Sequence, residues 1–252
     1  MRVIAVINQK GGVGKTTTTL NLAHALAQKG NKVLAIDLDP QAHLTAGFGK
    51  LRKNQQGIAD VMLDEVDIKQ VTIPVRDNLE LVPAGTRLGE LEHVNKGGAK
   101  RGFLLRDALK NKTRGKDFIL IDCPPSSGIL GMNALLAAKE VLIPVSGDFF
   151  ALQGLSRLMG IFEHIEGSLK RKIDKWVVLT RFHERRRLAR EVKDKVSAYF
   201  PQRVFKTHIR ETVALAESPG FGQTIFEYQK SGNGAKDYMA LADDVMNNRV
   251  LS

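Results

Sequence analysis

The sequence predicts an α/β fold: a mostly parallel, twisted β-sheet flanked by helices on both faces. Three observations predict it. Short β-rich apolar runs alternate with stretches of helical periodicity along the chain. A glycine-rich stretch joins the first run to the first helix. Two of the runs end in aspartate, at Asp37 and Asp122, as strands do when their C-terminal ends build a binding edge.

In chain order, strands are predicted over Val3 to Ile7, Val33 to Asp37, Leu79 to Val82, Phe118 to Asp122, Val141 to Val145 and Trp176 to Leu179, with a short one near Val204 to Phe205. Between the first two, Thr16 to Lys29 carries Leu22, Ala23, Leu26 and Ala27 on one helical face, and Gly30 is placed to cap its end. Helical periodicity also fits Ser127 to Ala138, Leu152 to Ser168, Arg185 to Phe200 and Ala235 to Asn247. Residues 84 to 116 read as two helices with a mobile joint where Gly97 and Gly98 interrupt the pattern. No repeat or linker appears, and 252 residues with 43% hydrophobic content predict a single domain, 1–252, around one large core.

One cysteine, Cys123, excludes a disulfide framework and a multi-cysteine metal site. No charged-then-apolar leader opens the sequence and no run of about 18 apolar residues occurs, so a soluble, cytoplasmic protein is expected. The formal net charge of +11 points to a polyanionic partner.

The glycine-rich stretch reads INQKGGVGKTTTTLN, residues 7 to 21. It follows the phosphate-binding pattern G-x-x-x-x-G-K-[ST] with one departure, Gln9 in place of the first glycine, and one addition, Lys10 directly before Gly11, Gly12, Val13, Gly14, Lys15, Thr16 and Thr17. Following a strand and opening a helix, such a loop turns backbone N–H groups around an anion, and the positive helix end adds to the attraction. Lys15 is placed to reach the β- and γ-phosphates of ATP, and Thr16 to offer its hydroxyl to Mg²⁺. VLAIDLDPQ sets Asp37 and Asp39 just beyond the second strand, and FILIDCPP sets Asp122 at the end of another. In a parallel sheet these carboxylates gather on the edge that carries the loop, where Asp122 is suited to hold a metal-bound water.

KGGVGKTT, AIDLDPQ, LIDCPP and LAESPGFG together resemble the deviant-Walker P-loop ATPases of the ParA/Soj type, relatives of MinD, and the resemblance spans essentially the whole chain. It implies that Lys10 is a signature lysine that crosses the interface of an ATP-bound homodimer to contact the other subunit's nucleotide. A cation delivered in trans neutralises transition-state charge and couples hydrolysis to dimerisation. It further implies that Asp39 orients the attacking water, that Asp37 lies nearer the metal's outer shell, and that Gln41 belongs to the same switch. Asp122 to Ser127 would form a second switch, and adenine contacts would come from Thr180, Arg181 and the loop Ile209, Arg210, Glu211 and Thr212. Slow, partner-stimulated turnover is expected. Nitrogenase-type iron proteins and tail-anchored-protein ATPases need further cysteines that this chain lacks. The ending MALADDVMNNRVLS holds Asp243, Asp244 and a lone Arg249, a poor membrane-docking helix, so no membrane partner is expected.

Residues 170 to 195 hold eleven Lys and Arg against four acids, more than half of the formal net charge. In FHERRRLAREVKDKVSAYF, Leu188, Val192, Val196, Tyr199 and Phe200 read as an apolar stripe that leaves Arg186, Arg187, Arg190 and Lys193 outward; with Arg185 they form a candidate surface for double-stranded DNA without sequence preference. The family often carries aspartate at His183 and arginine at Ala214, so part of its usual DNA surface is expected to be rebuilt here. The resemblance implies a nucleoid-associated partition ATPase whose hydrolysis is stimulated by a ParB-like protein, for chromosome or plasmid cargo, or by an adaptor on a protein cargo such as a carboxysome or chemoreceptor cluster. From a different class, the alternative is a P-loop metabolic ligase of the dethiobiotin-synthetase kind, which would need a small-molecule pocket across a dimer.

Overall fold

The computed structural model describes residues 1–93, 98–110, 112–126, 128–148 and 151–251. Among the described residues seven strands form one sheet: β1 Arg2–Val6, β2 Val33–Asp37, β3 Ile73–Arg76, β4 Leu79–Val82, β5 Phe118–Asp122, β6 Glu140–Ser146 and β7 Asp174–Thr180. Their spatial order is β3-β4-β2-β5-β1-β6-β7, and every pairing is parallel except β3 with β4. The predicted strands therefore stand, with ends shifted by a residue or two. The exception is Val204 to Phe205, which makes isolated bridges to Val177 and Val250 instead of a strand. Phe205 donates to the Val177 carbonyl at 2.8 Å and Ile209 to that of Leu179 at 2.8 Å, so this segment covers the open edge of β7 discontinuously. The sequence reading misses β3, because Pro74 in IPVR interrupts a ladder; the strand sits at the sheet's other edge, where proline is tolerated.

Side chains alternate between the two faces along each strand. Val3, Ala5, Leu34, Ile36, Ile119 and Ile121 enter one core, while Ile4, Val6, Val33, Ala35, Phe118 and Leu120 enter the other. Helices Ile129–Ala137, Ala151–Leu169 and Arg187–Tyr199 cover the first face; Lys15–Gln28 and Asn233–Asn247 cover the second. Helix Lys15–Gln28 is buried nearly all round, beyond the single face its pattern predicts, because it lies under the C-terminal helix as well as on the sheet. Its polar groups are accordingly partnered: Asn21 accepts from the Ile225 N–H at 2.8 Å, and His24 Nδ1 meets Thr224 Oγ1 at 2.7 Å. Gly30 ends it in the left-handed region at φ +86, as expected.

Residues 84–116 hold the short helices Glu90–His93 and Leu104–Leu109 with a 3₁₀ turn, Gly98–Phe103, between them. The predicted joint at Gly97 lies outside the described residues, as does Ser127, the predicted start of the next helix.

Candidate nucleotide-binding site

The loop leaves β1 and enters helix Lys15–Gln28 through two backbone reversals, Gly12 at φ +74 and Gly14 at φ +86. A Cβ at either position would meet nothing within 4 Å, so glycine is required for its conformation and not for space. Gly14 is the N-cap, and no side chain among the described residues caps the helix, leaving the first-turn N–H groups available to an anion. Two side chains hold the loop's shape. Asn8, buried, accepts from the Lys10 N–H at 3.0 Å and donates to the Pro144 carbonyl at 2.8 Å. Thr180 Oγ1 donates to the Val13 carbonyl at 2.8 Å. Asn8 is absent from the sequence reading; its signal is a short polar residue between a buried strand and a glycine turn.

Lys15 is 8% exposed, and its Nζ donates to the Lys10 carbonyl at 3.3 Å. Burial lowers its pKa, opposed by the negative charge of Asp122 and Asp39 nearby. The ammonium is thus desolvated inside the loop, where an incoming phosphate supplies the missing counter-charge. Lys10 is ion-paired to Asp148 of its own chain, and Asp148 accepts from Ser146 Oγ at 2.6 Å. A contact from Lys10 to another subunit would require this pair to open. Asp148 is the second residue missing from the sequence reading, since nothing along the chain marks it as facing a loop 138 residues away.

Register pairing sets Asp37 and Asp122 side by side at the C-terminal ends of β2 and β5, both fully buried. Asp122 accepts from Thr16 Oγ1 at 2.7 Å and Thr19 Oγ1 at 3.2 Å. Burial, then the charge of Asp37, raises its pKa to about 8. Asp37 accepts from the Thr45 N–H at 2.7 Å and hydroxyl at 2.6 Å; burial raises its pKa to about 6 against those hydrogen bonds. Asp37 therefore also anchors the short helix His43–Gly47, which follows the switch. Asp39, 7% exposed, accepts from the Gln41 N–H at 3.0 Å.

This donor set fits a hard cation: two buried carboxylates whose charge is unfavourable without one, and the Thr16 hydroxyl between Asp122 and the loop. No group of three His, Cys, Asp or Glu able to hold a metal exists among the described residues.

Gly12, Gly14, Thr17, Thr180, Arg181, Ile209 and Arg210 line one cavity of about 510 Å³. The predicted adenine-side residues are thus brought to the loop, joined by Val213, Leu215 and Tyr238, which the sequence reading omits. Within it, Arg181 is held by Glu211 at 2.7 Å and Arg210 by Asp237 at 2.5 Å. Thr180 serves the loop's backbone.

On the basic helix the predicted apolar stripe is corrected. Ala189, Val192, Val196 and Phe200 are buried, whereas Leu188 is 41% and Tyr199 55% exposed. The 189-192-196-200 spacing keeps one face over the sheet, and position 188 falls outside it. The helix starts at Arg187, so Arg185 and Arg186 sit in the turn before it. Arg185, Arg186, Arg187 and Arg190 are exposed, and Lys193 is half-buried. His183 meets Glu211 at 3.0 Å, and Ala214 is 9% exposed.

Fold and site together define a class: an ATP hydrolase built on a phosphate-binding loop and working with ATP and Mg²⁺. A family model described as an AAA domain matches residues 1–175. The chain is 39% identical over 250 residues to the chromosome partitioning protein ParA of Myxococcus xanthus, covering 97% of this chain and 88% of that one. It is 38% identical over 247 residues to the chromosome-partitioning ATPase Soj of Thermus thermophilus, covering 98% and 96%. A crystal structure of cobyrinic acid a,c-diamide synthase from Mycobacterium smegmatis with a bound ATP analogue and magnesium superposes with a TM-score of 0.85 at 27% identity, covering each chain completely. The chain belongs to the ParA/Soj family of partition ATPases.

Proposed function

We propose that this chain is one ATPase unit that forms an ATP-sandwich homodimer, binds double-stranded DNA without sequence preference, and positions cargo on the nucleoid in the cytoplasm. Lys15 holds the chain's own β- and γ-phosphates within the cradle of Gly11 to Thr17. Lys10 leaves Asp148 and reaches the partner's nucleotide. Thr16 and Asp122 hold Mg²⁺, with Asp37 behind them; the ion, when bound, neutralises phosphate charge. Asp39 orients the attacking water, and Thr180, Arg181, Ile209 and Arg210 border the base. A ParB-like protein or a cargo adaptor stimulates hydrolysis and releases the dimer from DNA.

The observation that carries the DNA reading is the start of the basic helix. Arg186 is the N-cap and Arg187 the first helical residue, with no acid in the first turn. Arg185, Arg186 and Arg187 there oppose the helix dipole, and among the described residues only Arg187 is relieved, by Glu191 at 2.8 Å, a local cost that a surface serving only stability has no reason to keep. Around them, Arg190 and Lys193 supply further cations toward phosphates. The test is the double substitution Arg186→Glu with Arg187→Glu, measured by fluorescence anisotropy at two salt concentrations on two unrelated duplexes. The expected result is loss of binding to both sequences with ATP-dependent dimerisation intact. Wild-type affinity and salt slope would sink the reading.

One observation favours the ligase reading: a polar cavity of about 630 Å³ adjoins the nucleotide cavity through Arg210, Glu211 and Thr212. Its Arg210 and Glu211 are already committed to Asp237, Arg181 and His183. ATP turnover that depends on a small carboxylic acid and ignores DNA would establish it.

A further inference from the structure

The sheet has a second charged end. Lys32 precedes β2, Lys110 and residues 112–116 precede β5, Lys139 precedes β6, and Lys170, Arg171 and Lys172 precede β7. Because β2, β5, β1, β6 and β7 are consecutive parallel neighbours, these strand starts lie on one line. Four inter-strand steps of about 4.8 Å make it about 19 Å long. Two hydrogen bonds tie it together: the Asp117 N–H donates to the Lys32 carbonyl at 2.8 Å, and the Arg171 side chain, through Nη2, to the Ala138 carbonyl at 2.8 Å. The line lies at the end of the sheet opposite the phosphate loop.

Its acids are spent. Asp67 pairs with Lys112 at 3.6 Å, Glu80 with Lys116 at 2.6 Å, Glu140 with Arg2 at 2.6 Å and Asp174 with Arg203 at 3.1 Å, while Asp117 accepts from the Lys32 N–H. Lys32, Lys110, Arg114, Lys139, Lys170 and Lys172 are exposed and join no ion pair among the described residues. A row of like charges repels itself. At one end of the row a cleft of about 390 Å³ is lined by Lys69, Lys112, Arg114 and Lys116 against the single acid Glu80.

We propose that this N-terminal edge of the sheet is a second face for the phosphates of duplex DNA, separate from helix Arg187–Tyr199. The inference rests on the DNA reading above and extends it. About 19 Å of cations spans roughly half a turn of duplex, whose phosphates present one charge per about 1.7 Å of axis. The helix lies on a face of the sheet and the edge is the sheet's end, so the two sets point in different directions; a straight duplex on one leaves the other open to a second duplex. Met1 and, beside Asn31, Met246 are apolar side chains exposed here, and two methionines do not make the apolar face a bilayer requires.

The test compares the wild type, the Arg186→Glu/Arg187→Glu helix variant and an edge variant, Lys110→Glu, Arg114→Glu, Lys170→Glu and Lys172→Glu, all with Mg²⁺ and ATP. Anisotropy at several salt concentrations reads single-duplex binding, and capture of a labelled free duplex by a bead-tethered duplex reads bridging. The edge variant should retain binding and ATP hydrolysis, lose about 0.9 of salt slope per contact removed, and capture the second duplex about tenfold less. Unchanged slope and capture, or a wild type that bridges nothing, overturns the proposal. If the edge variant instead loses only adsorption to anionic phospholipid vesicles, the edge is a membrane face and the proposal fails. If the helix variant binds like wild type while the edge variant shows the reduced slope and capture, the helix reading fails and this one stands.

Discussion

At the C-terminal edge of the sheet, Asp37, Asp39, Asp122 and Lys15 are each less than a tenth exposed and hydrogen-bonded within the chain, whereas the side chain of Arg187 on the basic helix is 88% exposed. The first set carries the desolvation cost of every charge and is held in place by partners or by the ligand that completes it. On the helix, water and salt screen each cation, so single charges are worth little and only their number matters. Substitutions in the buried set should therefore change affinity or rate by large factors one residue at a time. Those on the exposed set should add up gradually and respond to salt.

The largest expected effect is Lys15→Ala. Removing a buried charge-assisted donor to phosphate costs about 3 kcal/mol, on the order of 100-fold in Kd for ATP. Titration calorimetry checks this, and an unchanged Kd would place Lys15 outside the buried set. Next comes Asp39→Ala, which should keep ATP binding and lose about 100-fold or more in turnover, read as phosphate release. Hydrolysis at the wild-type rate would remove Asp39 from the chemistry.

Lys10 sits between the two regimes, its side chain 28% exposed and paired with Asp148. Lys10→Ala should bind ATP with little loss and sediment mainly as a monomer where the wild type with Mg²⁺ and ATP sediments as a dimer. Equal dimer fractions would return Lys10 to the screened surface class.

The smallest effect is on stability. Asp37 and Asp122 have folded pKa values of about 6 and about 8, above the ordinary 3.8. Between these values the folded chain binds more protons than the unfolded one, so stability is fully present at low pH and is lost as pH rises through about 6 and about 8. The apo protein in chelator should melt a few degrees lower at pH 8 than at pH 6. Mg²⁺ with ATP should flatten that slope, as should Asp122→Asn. A Tm that rises with pH in chelator would contradict the burial of these two carboxyls.

Much of this contrast is legible along the chain, for physical reasons. The phosphate loop needs glycines, a lysine and a threonine in consecutive order, because one turn of backbone must wrap one anion; so residues 10 to 17 are identified without any tertiary information. Strands buried on both faces read as unbroken apolar runs, which is why β2 and β5 are bounded correctly, while Pro74 conceals edge strand β3. The excess of cations on 170 to 195 is a matter of composition. Their orientation is not: a helix start displaced by two residues and an Ala189 stripe in place of Leu188 change which side chains face water.

Only the tertiary structure decided the long-range partners. Asp148 for Lys10 and Asn8 for the Pro144 carbonyl are joined by the order of strands in the sheet, and Tyr238 reaches the nucleotide cavity from the C-terminal helix packed on it. The basic row at the opposite edge arises the same way, from loops far apart in sequence whose strands happen to be neighbours. The sequence by itself determined which residues can bind phosphate, because that chemistry is local in the chain; which charges are neutralised, and which are left facing outward, depends on distances that exist only after the sheet has formed.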